Sequence, residues 1–217
     1  MKNLWIFGDS FSDIWRINRD YSFDSQEKYL KWFKKQPVHF SDILNKKFKF
    51  DNIYNKARSG ADNYTILESI GEEIKNIKKD DWVCIGWSYI GRYRMVNDKN
   101  DWFKIQSGLI DNNRNEQLFM EQIINRTSND IIFYEIKHWQ NILLKALPKQ
   151  TIFWSPFEYS SKYHEDGTIS FFCTKNITTI KKETKGYIDD LHFSSEGHEQ
   201  VGNQLIEHWT NQTMKII

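Results

Sequence analysis

Large apolar residues fall in short unbroken runs that alternate with segments in which apolar residues recur every three to four positions. The runs at 4–7, 82–86 and 150–154 predict buried strands, and Phe50–Tyr54 predicts a shorter one. A run without polar alternation is typical of a parallel strand that is covered on both faces.

Helical spacing occupies the segments between these strands. The predicted helices run from about Pro37 to Lys47, from the polar loop 55–63 to Ile77, from Glu116 to Leu147 with a division near 127–130, and from Ser194 or Ser195 through Trp209. Strands that alternate with helices favour a parallel sheet with helices on both faces. The expected fold class is therefore α/β, a three-layer α/β/α sandwich with a parallel sheet of about five strands.

Three stretches break these patterns, and we interpret them as insertions near 14–36, 87–115 and 157–185 in a single domain that spans 1–217. Aromatic residues make up 16% of the chain, and many of them lie in these stretches. Aromatic faces suit stacking on sugar rings, although their commonest use is core packing. A hairpin is predicted around Asp166–Gly167 in the third insertion.

Charge and cysteine content narrow the classes of function. The chain has 30 basic and 29 acidic residues, and a net charge of +1 does not indicate a nucleic-acid partner. Its two cysteines cannot form a disulfide framework. No secretory signal is visible, and no apolar run approaches the roughly 20 residues of a membrane span. We expect a cytoplasmic protein, or one exported as part of an assembled particle.

The candidate chemistry begins at Ser10, which follows the first apolar run after Gly8 and Asp9. Open α/β sheets place reactive groups at the carboxyl ends of their strands. A serine becomes a strong nucleophile only when a base takes its proton. Asp189 and His192 stand three positions apart before the last helix, so Asp189 can accept from the ring Nδ1 and leave Nε2 for Ser10.

These residues resemble the landmarks of the SGNH (or GDSL) hydrolases. The resemblance rests on Gly8-Asp9-Ser10, Gly60, Asp189-x-x-His192 and the following Gly197-His198, and it covers nearly the whole chain in order. It implies a flavodoxin-like fold, Ser10 as nucleophile, His192 as general base and Asp189 as its orienter. It also implies that the backbone N–H groups of Ser10 and Gly60 form part of an oxyanion hole, and that no cofactor is needed.

The chain departs from the family at its third block. Members of the family have Gly-x-Asn-Asp there, and this chain has Gly86-Trp87-Ser88-Tyr89. The Ser88 hydroxyl therefore stands where the family has its third oxyanion donor, and Arg92 or Asn63 could take that place by another route. Asn63, Trp87 and Arg92 are also candidate contacts for a substrate.

The expected function is hydrolysis of an acyl ester through a Ser10 acyl-enzyme, with removal of an O-acetyl group from a carbohydrate as the preferred substrate. A small-molecule or glycan ester is the expected partner. The alternative is a binding or structural module, such as a particle component or an adhesin, that keeps the fold but has impaired catalysis.

Metal chemistry is not expected from the sequence. The segment 164–166 together with Asp189, Asp190 and His192 could be drawn as a cluster of metal ligands. However, no histidine pair at helical spacing and no cysteine ligand supports that interpretation.

Overall fold

The computed structural model describes residues 1–14, 26–88, 92–96, 102–106, 129–156, 169–170 and 192–214. Asp189, Asp190 and the hairpin predicted around Asp166–Gly167 lie outside these residues, as does the segment 116–128 that was predicted to be helical.

Five parallel strands form the central sheet. They are β1 (Asn3–Phe7), β2 (Asn52–Asn55), β3 (Trp82–Gly86), β6 (Thr151–Ser155) and β7 (Ile169–Ser170). Their order is β2-β1-β3-β6-β7, and every neighbouring pair is parallel. The predicted α/β class with a parallel sheet of about five strands is confirmed.

The strand order reverses between β1 and β3, because the chain passes from β1 to β2 on one side and then returns to β3 on the other. Such a switch point leaves a crevice at the carboxyl ends of the two central strands, where open α/β sheets bind their ligands. Ser10 follows β1 and Ser88 follows β3, so both lie at this crevice.

Five helices accompany the sheet in the described part of the chain. They are α1 (Gln26–Phe33), α2 (Phe40–Phe48), α3 (Asn63–Glu73), α4 (Asn129–Ala146) and α5 (Ser195–Met214). On one face of the sheet, α3 and α4 bury a cluster that includes Trp5, Phe7, Ile66 and Ile136. On the other, α2 and α5 bury a cluster that includes Leu4, Ile6, Phe40 and Val201. Successive residues of β1 therefore point to opposite layers, as a strand covered on both faces requires.

Local capping sets the ends of two helices. The Asp62 side chain accepts from the Thr65 N–H at 2.7 Å and begins α3. His39 caps α2 in a reciprocal capping box with Asp42, so this helix begins after His39 rather than at Pro37. At the other end of α3, the Asn76 N–H donates to the Glu73 carbonyl at 2.8 Å and ends the regular helix at Glu73, short of the predicted Ile77.

Part of the second predicted insertion has regular structure. Strands β4 (Arg92–Val96) and β5 (Trp102–Gln106) pair antiparallel in a separate two-stranded sheet. No strand was predicted in this stretch. Polar and apolar residues alternate only over the short segments Arg92–Met95 and Phe103–Gln106, and cross-strand pairing joins these two segments.

Candidate active site

The loop that follows β1 approaches β3 closely enough to need glycine. A Cβ built on Gly8 would lie 2.2 Å from Ser12 Oγ and 3.0 Å from the Gly86 carbonyl oxygen. A Cβ on Gly86 would lie 2.5 Å from the same Ser12 atom. Side chains at either position would push the two loops apart. Glycine at both positions therefore lets the chain place Ser10 at the crevice between β1 and β3.

The structure brings Ser10 and His192 together at this crevice. His192 Nε2 lies 2.8 Å from Ser10 Oγ, which is within the reach required of a general base. In the tautomer protonated on Nδ1, Nε2 accepts from the hydroxyl and can take its proton. Ser10 is only 6% exposed, so this proton transfer would take place in a largely desolvated site.

Aromatic packing fixes the plane of the His192 ring. The Phe11 ring stacks on it, with centroids 4.8 Å apart and planes 23° from parallel. Phe193 meets Phe11 edge-on at 5.0 Å. These contacts restrict rotation of the imidazole at the position where it faces Ser10. The sequence did not single out Phe11 as a site residue, and its only signal was its place directly after Ser10.

The chain just beyond His192 is held by the segment 29–38. The Ser195 N–H donates to the Tyr29 hydroxyl at 3.1 Å, and the Val38 N–H donates to Ser195 Oγ at 2.9 Å. Lys35 forms an ion pair with Glu196 in the first turn of α5. The end of the first predicted insertion, together with Val38, thus anchors the start of the helix that follows the candidate base.

Asp9 occupies the bottom of the site and is 1% exposed. Its Oδ1 accepts from the Phe11 N–H at 3.0 Å. Its Oδ2 accepts from the Ser88 hydroxyl at 2.9 Å and from Arg92 Nη1 at 3.1 Å. Burial raises the pKa of Asp9, and the positive charge of Arg92 opposes that rise. Asp9 therefore joins the loop after β1 to the chain that follows β3.

Ser88 has a different position from the one expected of an oxyanion donor. It is fully buried, and its hydroxyl donates to Asp9 rather than toward Ser10. Its backbone is held by Asn63, because the Ser88 N–H donates to Asn63 Oδ1 at 2.7 Å. The Asn63 amide nitrogen in turn lies 3.5 Å from the Ser88 carbonyl. These contacts favour a structural role for both side chains over the predicted roles in the oxyanion hole or in substrate contact.

Gly60, the other predicted oxyanion residue, lies in a turn that contacts the loop after β1. Its φ of +73° is in the region that favours glycine. The Ala61 N–H donates to the Arg58 carbonyl at 3.0 Å and closes the turn. The Arg58 N–H donates to the Gly8 carbonyl at 3.0 Å. The loops after β1 and β2, which carry Ser10 and Gly60, are thus joined through their backbones.

Trp87, a predicted substrate contact, lies in the core. It is 0% exposed, and its ring stacks on Phe153 with centroids 6.0 Å apart and planes 7° from parallel. A tryptophan in that position has no face to offer a sugar. The remaining predicted site residue, Asp189, lies outside the described residues.

The described residues contain no group of three His, Cys, Asp or Glu side chains that could hold a metal ion. Within the same part of the chain, no helix is long and apolar enough to cross a membrane.

Comparison with known proteins gives a loose structural likeness. No protein-family model matches the sequence, and no curated protein matches it either. One similar solved structure is a carbohydrate esterase whose active site displays divergent catalytic and non-catalytic binding functions. The two are 16% identical with a TM-score of 0.48, and the match covers 96% of this chain and 68% of the other. Another is a mutant of Axe2, an acetyl-xylooligosaccharide esterase from Geobacillus Stearmophilus, with a TM-score of 0.44, 17% identity and coverage of 96% and 93%. At these scores neither likeness carries an argument about activity, and the α/β architecture stands on the strand order and layers described above.

Proposed function

We propose that this chain is a serine esterase in which Ser10 is the nucleophile and His192 the general base. The observation that carries the proposal is the 2.8 Å contact between His192 Nε2 and Ser10 Oγ. Its location supports the proposal further, because the pair lies at the switch point of a parallel sheet. Asp189 would accept from His192 Nδ1 and hold the tautomer that the reaction needs.

The reaction follows from this arrangement in two steps. As Ser10 Oγ attacks the ester carbonyl carbon, its proton passes to His192 Nε2. The tetrahedral intermediate then collapses, the C–O bond to the alcohol breaks, and His192 returns the proton to the leaving alcohol. Water attacks the acyl-enzyme in the second step, with His192 again taking and returning one proton, and the carboxylic acid leaves.

Two backbone donors support the negative charge on the carbonyl oxygen in this proposal. They are the N–H groups of Ser10 and Gly60, on loops that are joined by the hydrogen bond between the Arg58 N–H and the Gly8 carbonyl. Each such donor contributes about 3 kcal/mol to the stability of the transition state. Ser88 is left out of this hole because its hydroxyl donates to Asp9.

The substrate we propose is a small acyl ester, an O-acetyl group on a carbohydrate. The 6% exposure of Ser10 favours a short acyl group over a long chain. The aromatic residues of the three predicted insertions favour a sugar as the alcohol, since sugar rings stack on aromatic faces.

Replacement of the nucleophile tests the proposal. Ser10→Ala should lower release of acetate from p-nitrophenyl acetate and from an acetylated xylose by about 1,000-fold or more. Ser59→Ala is the matched control, because Ser59 is an exposed serine in the loop after β2. An unchanged rate in Ser10→Ala would remove Ser10 from the mechanism. Faster cleavage of p-nitrophenyl octanoate than of the acetate would overturn the proposed acyl group.

One observation favours a second function, a binding module with the same fold. The third block offers no side-chain donor from Ser88, because that hydroxyl is engaged with Asp9. A site with only two donors would turn over slowly and could retain ligand binding. Covalent labelling of Ser10 by a fluorophosphonate distinguishes the two functions, since only a serine activated by its base reacts.

A further inference from the structure

Arg92 connects the three loops that surround the nucleophile. It is the first residue of β4, and its side chain is 14% exposed. Its Nη1 lies 3.1 Å from Asp9 Oδ2, 3.2 Å from the Ala61 carbonyl oxygen and 3.0 Å from Ser88 Oγ. The three acceptors belong to the loops after β1, β2 and β3 respectively.

Each of these acceptors adjoins a residue of the candidate site. Asp9 precedes Ser10, Ala61 follows Gly60, and Ser88 occupies the third block of the motif. The guanidinium therefore stands at the point where the nucleophile loop and both neighbouring loops converge. A side chain that contacts all three loops controls their relative positions more directly than any contact within one loop.

The charges make this connection costly to break. The Asp9 side chain is 1% exposed and the Arg92 side chain 14% exposed. The two opposite charges are therefore largely removed from water, and each compensates the other. Removing one partner of such a pair leaves an uncompensated buried charge, which costs more than the pair itself contributes. Nη1 also has only two protons for three acceptors. The Ser88 hydroxyl completes the network by donating to Asp9.

We propose that Arg92 is a positioning residue that holds the backbone N–H groups of Ser10 and Gly60 in one arrangement for the oxyanion. This inference rests on the proposed esterase function for its catalytic consequence, although the structural connection can be measured without turnover. It assigns Arg92 a place behind the reacting atoms, because Nη1 faces protein acceptors on all three loops.

The kinetic test uses Arg92→Met, Arg92→Lys and the control Arg58→Met. Arg58 is matched, because its side chain is 53% exposed in an ion pair with Glu72, and the substitution keeps the backbone bond from the Arg58 N–H to the Gly8 carbonyl. With p-nitrophenyl acetate, Arg92→Met should lower kcat by about 100-fold, as expected for a misplaced catalytic group, with KM within about twofold. Arg92→Lys should fall between it and the wild type, because an ammonium keeps the charge but cannot span the three loops. Arg58→Met should match the wild type. A raised KM with unchanged kcat in Arg92→Met would instead make Arg92 a substrate contact and overturn the proposal.

Amide hydrogen exchange tests the connection independently of activity. The reporters are the N–H groups of Phe11, Ala61 and Ser88, each of which donates a hydrogen bond within its own loop or to the neighbouring helix. Arg92→Met should accelerate exchange at all three, while the amides of β1 stay protected as in the wild type. Acceleration at one loop alone, or at none, overturns the proposal.

The double variant Asp9→Asn with Arg92→Met guards against a simple failure to fold, because it removes both buried charges together. Exchange at Ala61 and Ser88 should remain fast in it, and wild-type exchange there would overturn the proposal. Failure of the esterase function would show as ester cleavage that does not depend on Ser10. That result leaves the exchange measurements to decide the role of Arg92 in positioning.

Discussion

The imidazole rings of His39 and His198 lie 4.7 Å apart, centroid to centroid, in the layer that α2 and α5 form on one face of the sheet. Both residues are buried. Burial lowers the pKa of His39 to about 3. Burial, with the charges of His39 and His192 as smaller causes, also lowers the pKa of His198 well below 6.5. Both rings are therefore neutral in the folded protein at neutral pH.

This pair predicts a loss of stability in mild acid. Because the unfolded chain binds protons near pH 6.5 and the folded chain does not, the stabilisation is complete above about pH 6.5 and is lost as the pH falls below it, for His39 down to about 3. For each of the two rings, the free energy of unfolding falls by up to about 1.4 kcal/mol for each unit by which the pH is lowered in that range. Urea denaturation between pH 7.5 and pH 5 measures the slope.

A substitution at His39 isolates its part of that slope. His39→Asn keeps a side-chain acceptor at the N-terminal cap of α2 and removes the ionisable ring, so the slope should become shallower. His138→Gln is the control, because His138 lies exposed on α4. An equal slope in wild type and His39→Asn would contradict the assignment.

The hydrogen bonds of Asp81 predict a second effect on the free energy of unfolding. Asp81 lies at the amino ends of the strands, whereas Ser10 lies at their carboxyl ends. Its Oδ1 accepts from the Asn3 N–H and side-chain amide at 3.2 and 2.9 Å, and its Oδ2 from Trp5 Nε1 and the Lys78 N–H at 2.9 and 3.0 Å. Burial alone would raise its pKa, but these bonds outweigh burial and the pKa is lowered. Asp81→Asn should lower the free energy of unfolding by about 1–3 kcal/mol, because an amide group would face donors. Asp80→Asn, at the exposed neighbouring position, should change it little, and equal losses in the two variants would count against this account.

Close packing of α2 on α5 predicts an effect at Gly202. A Cβ there would lie 2.8 Å from Ile43 Cβ, so Gly202→Ala should force the helices apart and destabilise the protein by about 1–3 kcal/mol. Gly71→Ala is the matched control, because a Cβ at that helical position meets nothing within 4 Å. It should stabilise α3 by about 0.5–1 kcal/mol. Thermal unfolding of the two variants should therefore shift in opposite directions, and shifts of the same sign would refute the prediction.

The stacking of Phe11 on His192 predicts a loss of activity without a loss of fold. Phe11→Leu keeps an apolar side chain but removes the planar contact at 4.8 Å. Since an aromatic pair contributes about 0.5–1.5 kcal/mol beyond its buried area, kcat should fall by about fivefold. Phe48→Leu is the control, because Phe48 packs on Trp82 in the aromatic cluster that contacts α5 and does not touch His192. An equal kcat for wild type and Phe11→Leu would show that the stack does not hold the imidazole.

Local pattern was sufficient for much of the architecture. The run at 82–86 is a parallel strand buried on both faces, and the helix predicted from Ser194 or Ser195 begins at Ser195. A strand buried on both faces needs an apolar side chain at each position, and an amphipathic helix needs one every three to four positions. Both patterns can therefore be recognised in consecutive residues of the sequence. The antiparallel pair of β4 and β5 has a weaker sequence pattern, and neither strand was predicted.

The sequence by itself therefore determined the strands β1, β2, β3 and β6 with the helices between them, the α/β class, and Ser10 and His192 as candidates for one site. Only the tertiary structure decided what the residues after β3 do. It placed Trp87 in the core, turned the Ser88 hydroxyl to Asp9, and brought Arg92 to three loops. The physical reason is that Ser88 lies 79 positions from Asp9 along the chain, and Arg92 lies 83 positions from Asp9 and 31 from Ala61. Their contacts depend on β1 and β3 being neighbours in the sheet, and no local periodicity carries that information.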